Sequence, residues 1–256
     1  MFSEEDEGVY SATLPKKRVA NPRFITGPEY GRAKRGMEAA NLRGIVLNSM
    51  VTVNWDTLNI GTDVDVEAAH TSFKELFGHW LHERFKPSAF IWVVERGADL
   101  GLHTHFLAHV GWMYRHALLA YVEEAVETAA GRRPVVAPKG SIRTVDVKPA
   151  HDDDIEFQVR SFRYLMKGLD PQAMYSWRGG KGKREFVSVE DAIRLEAQGE
   201  IHFKRIGTNR FLSSASADRI AKEYGGWATI DTECRPFTED HLHYPARAAL
   251  LRSLDI

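Results

Sequence analysis

The sequence predicts an α+β fold, an antiparallel sheet with helices packed on it, followed by a C-terminal extension. Three observations predict it. Short stretches rich in β-branched and aromatic residues are separated by longer ones with a helical apolar period. Two of the strand candidates, AFIWVVE and LHTHFLAHV, are joined by the short loop RGADLG. The order from residue 44 onward reads β-α-β-β-α-β-α, which fits helices laid on one sheet.

Each element has its own signal. Residues 1–43 are polar and broken by Pro15, Pro22, Gly27, Pro28, Gly31 and Gly36, and they read as a basic arm without a core of its own. In GIVLNSMVTVNWD, Val51, Val53 and Trp55 alternate with Thr52 and Asn54, the pattern of a strand. Residues 67–85 carry Phe73, Leu76, Phe77, Trp80 and Leu81 at helical spacing, and Pro87 stops the helix. After the two strands of the hairpin, residues 112–130 read as a helix ending at Gly131. SIRTVDV, residues 141–147, reads as a strand. Residues 153–167 read as a helix capped by Asp152 and ended by Gly168. Residues 176–256 hold a helical stretch near 188–198, a basic turn near 203–210 and a proline-punctuated tail. The division expected is an arm (1–43), a central domain (44–175) and an extension (176–256).

Composition narrows the classes. Of 256 residues, 43% are hydrophobic and 27% charged, which excludes a wholly disordered chain. No apolar run approaches the length of a membrane span, so no membrane partner is expected. The acidic start MFSEEDEGVY is no secretory signal, and the single cysteine, Cys234, excludes a disulfide framework; a cytoplasmic location is the expectation. The net charge of −1 hides two basic stretches. Residues 14–43 hold eight cationic side chains against Glu29 and Glu38. Residues 160–184 hold seven (Arg160, Arg163, Lys167, Arg178, Lys181, Lys183 and Arg184) against Asp170. They point toward a polyanionic partner.

A hairpin centred on Asp99 sets Glu95 opposite His103 and Val93 opposite His105. Opposed residues share a face, and His103 and His105 share it too because strand side chains alternate. Two imidazoles and a carboxylate then converge and leave positions open on a divalent ion for substrate oxygens. Leu102, Thr104, Phe106, Ala108 and Val110 form the other, mostly apolar face. On the helix at 153–167, Ile155, Val159, Phe162 and Met166 fall on the core side. Tyr164 falls away from them, near Arg160 and Lys167, and neighbouring positive charge favours the nucleophilic phenolate.

Together these elements resemble the HUH endonucleases, the single-strand DNA nickases of rolling-circle initiators, relaxases and some transposases. The resemblance covers about residues 48–170. His103-Thr104-His105 corresponds to the family's paired histidines, Glu95 to its acidic third ligand, and Tyr164-Leu165-Met166-Lys167 to its YxxK helix. Met50-Val51-Thr52-Val53-Asn54 looks like its first-strand motif. Thr104 departs from the hydrophobe usual between the histidines, and Asn54 replaces a common threonine.

The resemblance implies a ferredoxin-like or RRM-like core and a divalent metal, Mg²⁺ or Mn²⁺, held by Glu95, His103 and His105. Tyr164 would attack a phosphodiester to give a 5′-phosphotyrosine, with Lys167 assisting. Thr52, Asn54, Arg160 and Arg163 would contact DNA, as would Arg178, Lys181, Lys183 and Arg184. The partners implied are single-stranded DNA, an origin hairpin and a host helicase. The arm and extension favour a one-tyrosine initiator over a relaxase or a minimal transposase. No Walker A sequence is present for a fused helicase. A non-catalytic RRM-like module is the rival from another class, although it would stack bases on aromatics of the strand that here carries histidines. A cupin reading fits Gly97-x5-His103-x-His105 but lacks the later glutamate, and the long helices oppose an all-β barrel. A second HxH, His241-Leu242-His243, has no strand pattern around it and reads as chance.

Overall fold

The structure, a computed structural model, describes residues 23–136, 142–171, 174–178, 184–188, 195–196 and 198–225. Its centre is an open five-stranded antiparallel sheet. The strands are β1 (Ser49–Asn54), β2 (Phe90–Gly97), β3 (Gly101–Ala108), β4 (Val145–Pro149) and β7 (Ile206–Thr208), in the order β4-β1-β3-β2-β7. A separate hairpin is formed by β5 (Met174–Arg178) and β6 (Arg184–Ser188). The α+β class expected from the sequence is therefore observed.

Alternation along the strands divides the core in two. Val51, Val53, Trp92, Val94, Leu102 and Phe106 face α2 (Asp63–Arg84) and α3 (Arg115–Ala130), where Phe73, Phe77, Leu118 and Val122 pack against them. Met50, Ile91, Val93 and Leu107 face α1 (Gly27–Leu42) and α4 (Ile155–Leu165), where Met37, Val159 and Phe162 complete a second cluster. The sheet is thus a middle layer with helices on both sides.

Local chemistry moves several boundaries. α2 starts before residue 67 because Thr62 and Asp65 form a reciprocal cap. Residues 112–114 are a 3-10 turn, and α3 begins at Arg115. The cap of α4 is Asp154, which accepts from the Phe157 amide at 2.7 Å. Asp152, the expected cap, instead accepts from Asn48 and Arg115.

The expectation for the first 43 residues needs the larger correction. Residues 1–22 lie outside the described residues, but Gly27–Leu42 is a buried helix, not an arm. Its small residues allow close approach: a Cβ on Gly36 would meet the Leu212 carbonyl oxygen at 2.5 Å. Two of its charges are buried as a pair, with Lys34 Nζ 2.7 Å from Glu38 Oε1 one turn away. The stretch near 203–210 is likewise more than a turn. It supplies β7, which pairs with β2, and it leads into α5 (Ser214–Glu223), which packs on α1. The helix expected near 188–198 falls mostly outside the described residues; 195, 196 and 198–200 are not helical. No helix among the described residues is long and apolar enough to cross a membrane.

Candidate functional site

The β2–β3 hairpin has the register expected from the sequence. Glu95 is opposite His103 and Val93 is opposite His105, and on the other flank of β3 Asn54 and Thr52 oppose the same two histidines. The turn is fixed by Gly101, whose φ is +62° and whose Cβ would fall on the Asp56 carboxylate.

The three side chains meet on the face toward α4, and all are buried. Glu95 Oε2 lies 3.2 Å from His103 Nε2 and 3.4 Å from His105 Nε2. One ligand atom from each residue lies within 4.8 Å of the other two, so the group could bind a metal ion. The hydrogen bonding supports that capacity. His103 Nδ1 lies 2.9 Å from the Gly101 carbonyl, which can only accept, so Nδ1 donates and Nε2, turned toward Glu95 Oε2, is the ring nitrogen placed to ligate. His105 is held from behind by Thr52 Oγ1, 2.8 Å from its Nδ1. Glu95 Oε1 and His105 Nε2 are buried without a hydrogen-bond partner. Buried polar atoms are rarely left so, and a cation among the three residues would satisfy both.

Charge is arranged to match. Burial pushes the Glu95 carboxyl up, but the adjacent His103 and His105 and the nearby Lys167 outweigh it and hold it at about 2. Burial pushes the His105 imidazole down, toward the neutral form that ligates metals.

Tyr164, near the end of α4, sits beside this group. Its ring is 5.2 Å from that of His105, edge to face, and it is 39% exposed. The tyrosine is thus displayed as the sequence suggests, with Lys167 beside it, but that lysine is not displayed with it. Lys167 is buried, because a 3-10 turn over Met166–Gly168 tightens the helix end and brings the ammonium inward. Lys167 Nζ lies 3.1 Å from Glu95 Oε2 and 4.0 Å from the Tyr164 ring centroid. Burial pulls its pKa down, but Glu95 and Tyr164 outweigh this and keep it above the usual lysine range. Arg160 instead points outward and pairs with Glu156 at 3.9 Å. Arg163, one residue before Tyr164, is half-buried on the same helix.

A groove of about 630 Å³ opens beside Tyr164 and His105 over β1 and β4. Thr52, Asn54, Arg143, Asp146 and Lys148 give it hydrogen-bonding and charged groups, and Met50, Leu100 and Ile142 give it apolar ones. Thr52 and Asn54 already have structural partners, His105 and the Asp56 amide respectively. Lys181 and Lys183, the side chains of Arg178 and Arg184, and the second HxH at His241 and His243 lie outside the described residues.

Several contributors carry no sequence signal. Glu196 Oε2 is 3.4 Å from Lys167 Nζ. Arg205 is buried and interacts electrostatically with Glu95. Both come from the segment expected to be an extension, and only folding brings them to the site. Arg143 falls within the strand that the sequence reading placed at 141–147 and Lys148 within the observed β4, so their position in the groove was in principle recoverable. The chain has no significant match among protein-family models or among curated proteins.

Proposed function

We propose that the protein is a metal-dependent single-strand DNA endonuclease of the HUH type, acting as a one-tyrosine initiator of rolling-circle replication. The observation that carries this reading is the placement of Tyr164 against His105, beside the Glu95–His103–His105 group and Lys167. A nucleophile, a site for a divalent ion and a fixed cation share one face. The strand order β4-β1-β3-β2, antiparallel throughout, supports a ferredoxin-like core for the nuclease.

A divalent ion held by Glu95, His103 and His105 would polarise the scissile phosphate; Mn²⁺ or Mg²⁺ suits a set with one carboxylate and open positions. The chain's own residues do the rest. The Tyr164 oxygen attacks phosphorus in line and its proton leaves to solvent. The bond from phosphorus to the 3′ oxygen breaks, and that oxygen leaves protonated as a free 3′-OH. The 5′-phosphate stays on Tyr164, so the phosphodiester energy is retained and the strand can be rejoined. Lys167 stabilises the negative charge that develops on the phosphate. The groove over β1 and β4 takes the polynucleotide, with Arg143 and Lys148 on its backbone.

An RRM-like binding module reads bases on a sheet face left open. Here helices cover both faces of the central strands, and the histidines lie beneath α4. That favours the nuclease.

The test is incubation of the purified chain with a randomised single-stranded DNA library and Mn²⁺, followed by denaturing electrophoresis. The expected result is an SDS-stable protein–DNA adduct that disappears in Tyr164→Phe and without metal. An unchanged adduct in Tyr164→Phe would reject the assignment of the nucleophile. DNA binding without any adduct would favour the binding module.

A further inference from the structure

Lys167 has two acidic partners among the described residues, and they lie on opposite sides of the reading above. Glu95 Oε2 is 3.1 Å from its ammonium and Glu196 Oε2 is 3.4 Å away. The Glu95 oxygen is also the one that approaches both histidines, at 3.2 and 3.4 Å. An ammonium and a divalent cation repel each other and compete for the same carboxylate charge. Glu196 is placed to receive the lysine. Its amide donates to the Lys167 carbonyl at 2.8 Å, which fixes its main chain against the 3-10 turn. Its side chain is half-exposed and borders the site without belonging to the candidate ligand group.

We propose that Glu196 is a positioning residue that draws Lys167 off Glu95 when a divalent ion enters the Glu95–His103–His105 site. This rests on the metal site proposed above. Glu196 then does two things. It lowers the competition between the lysine and the ion for Glu95, and it keeps the ammonium beside the Tyr164 ring, 4.0 Å away, where an incoming phosphate would lie. It also gives the segment after residue 175 a place in the site. That segment supplies β7 as well, and just after Glu196 the Gly199 amide donates to the Arg96 carbonyl of β2 at 2.9 Å.

The experiment is Mn²⁺ affinity of the full chain, measured by the electron paramagnetic resonance signal of free Mn²⁺. The variants are Glu196→Gln, Glu196→Asp, Lys167→Met and the Glu196→Gln/Lys167→Met pair, with thermal melting as the control for folding. Glu196→Gln should weaken Mn²⁺ binding about two- to fivefold, the worth of a partly exposed ion pair. Glu196→Asp should recover part of that. Lys167→Met should tighten binding, because the competing cation is gone. In the Lys167→Met background, Glu196→Gln should have no effect, since the glutamate acts through the lysine. An equal weakening in both backgrounds, or none in either, overturns the proposal while leaving the metal site standing. Absence of Mn²⁺ binding that depends on His103 and His105 removes the metal site, and the proposal falls with it.

Discussion

On β3, Phe106 and Thr104 point toward α2 and α3, while His103 and His105, their immediate neighbours, point toward α4. The same strand therefore builds two interiors. Toward α2 and α3 the contacts are apolar and aromatic, with Phe106 set among Phe73, Phe77 and Phe90 at ring separations of 5.2 to 6.1 Å. The buried polar groups there are few: Trp55 Nε1 donates to Thr104 Oγ1 at 2.8 Å, Thr104 reaches His70 Nδ1 at 3.3 Å, and His70 Nε2, set among aromatic rings, has no hydrogen-bond partner. Toward α4 the carboxylate and imidazoles crowd together, and two of their atoms have no hydrogen-bond partner. One face holds the fold together, and the other keeps ligand capacity that the protein's own groups leave unused.

The sharpest way to break this comparison is a reciprocal pair of truncations. Phe106→Ala removes a fully buried ring and should cost about 3–5 kcal/mol of stability, read by urea unfolding. His103→Ala, one face away, should change stability by less than about 1 kcal/mol, because it also removes a crowded polar group. It should weaken Mn²⁺ binding by more than about a hundredfold, since it deletes a ligand and not just a supporting contact. A His103→Ala protein as unstable as Phe106→Ala would mean that the two faces are not divided in this way.

Thr104 lies between the two histidines in sequence but bonds only within the α2 face, and Thr104→Val sharpens the division. Valine keeps the shape but leaves Trp55 Nε1 without its acceptor, in a site from which water is excluded. The expected loss is about 1–3 kcal/mol. The departure from the hydrophobe usual in the resembled family then has a local reason: this core contains a tryptophan and a histidine that need a hydroxyl between them. Unchanged stability in Thr104→Val would show that the hydroxyl link contributes nothing net.

What the sequence disclosed, and what it hid, follows the same physics. The hairpin was legible because a strand's period is two and a short turn fixes register, so Glu95 could be set opposite His103 by counting. Tyr164 was legible from helical period. Lys167 was legible as a neighbour of Tyr164 but not as a buried group, because the last turn tightens from α to 3-10 and a fixed angle per residue no longer applies. The helix Gly27–Leu42 was hidden by its composition. Glycines and charges read as loop, and their burial depends on partners far along the chain, among them Leu212. A cap was nonetheless written in Thr26 and Glu29, with Pro28 between them in the first turn. Glu196 and Arg205 had no signal at all, since nothing local distinguishes them from surface residues.

The smallest effect separates the histidines of the two faces by acid titration. His70, on the α2 side, is 2% exposed, and burial chiefly, with Lys74 adding to it, lowers its pKa to about 3. A histidine that stays neutral in the folded chain still takes a proton in the unfolded chain below about pH 6.5. The folded state therefore binds fewer protons, and stability falls as the pH drops through that value. The loss should approach about 1.4 kcal/mol for each pH unit and reach about 2 kcal/mol between pH 7.5 and 5. In His70→Gln that component is absent, while the α4 face is unaltered. Urea unfolding of both proteins across this range should give a visibly flatter acid limb for His70→Gln, even where its stability at neutral pH is lower. Parallel curves would place the acid sensitivity elsewhere, with the buried His105 of the α4 face, also held toward its neutral form, as a source. The burial of an uncharged histidine in the aromatic core would then have no thermodynamic signature of its own.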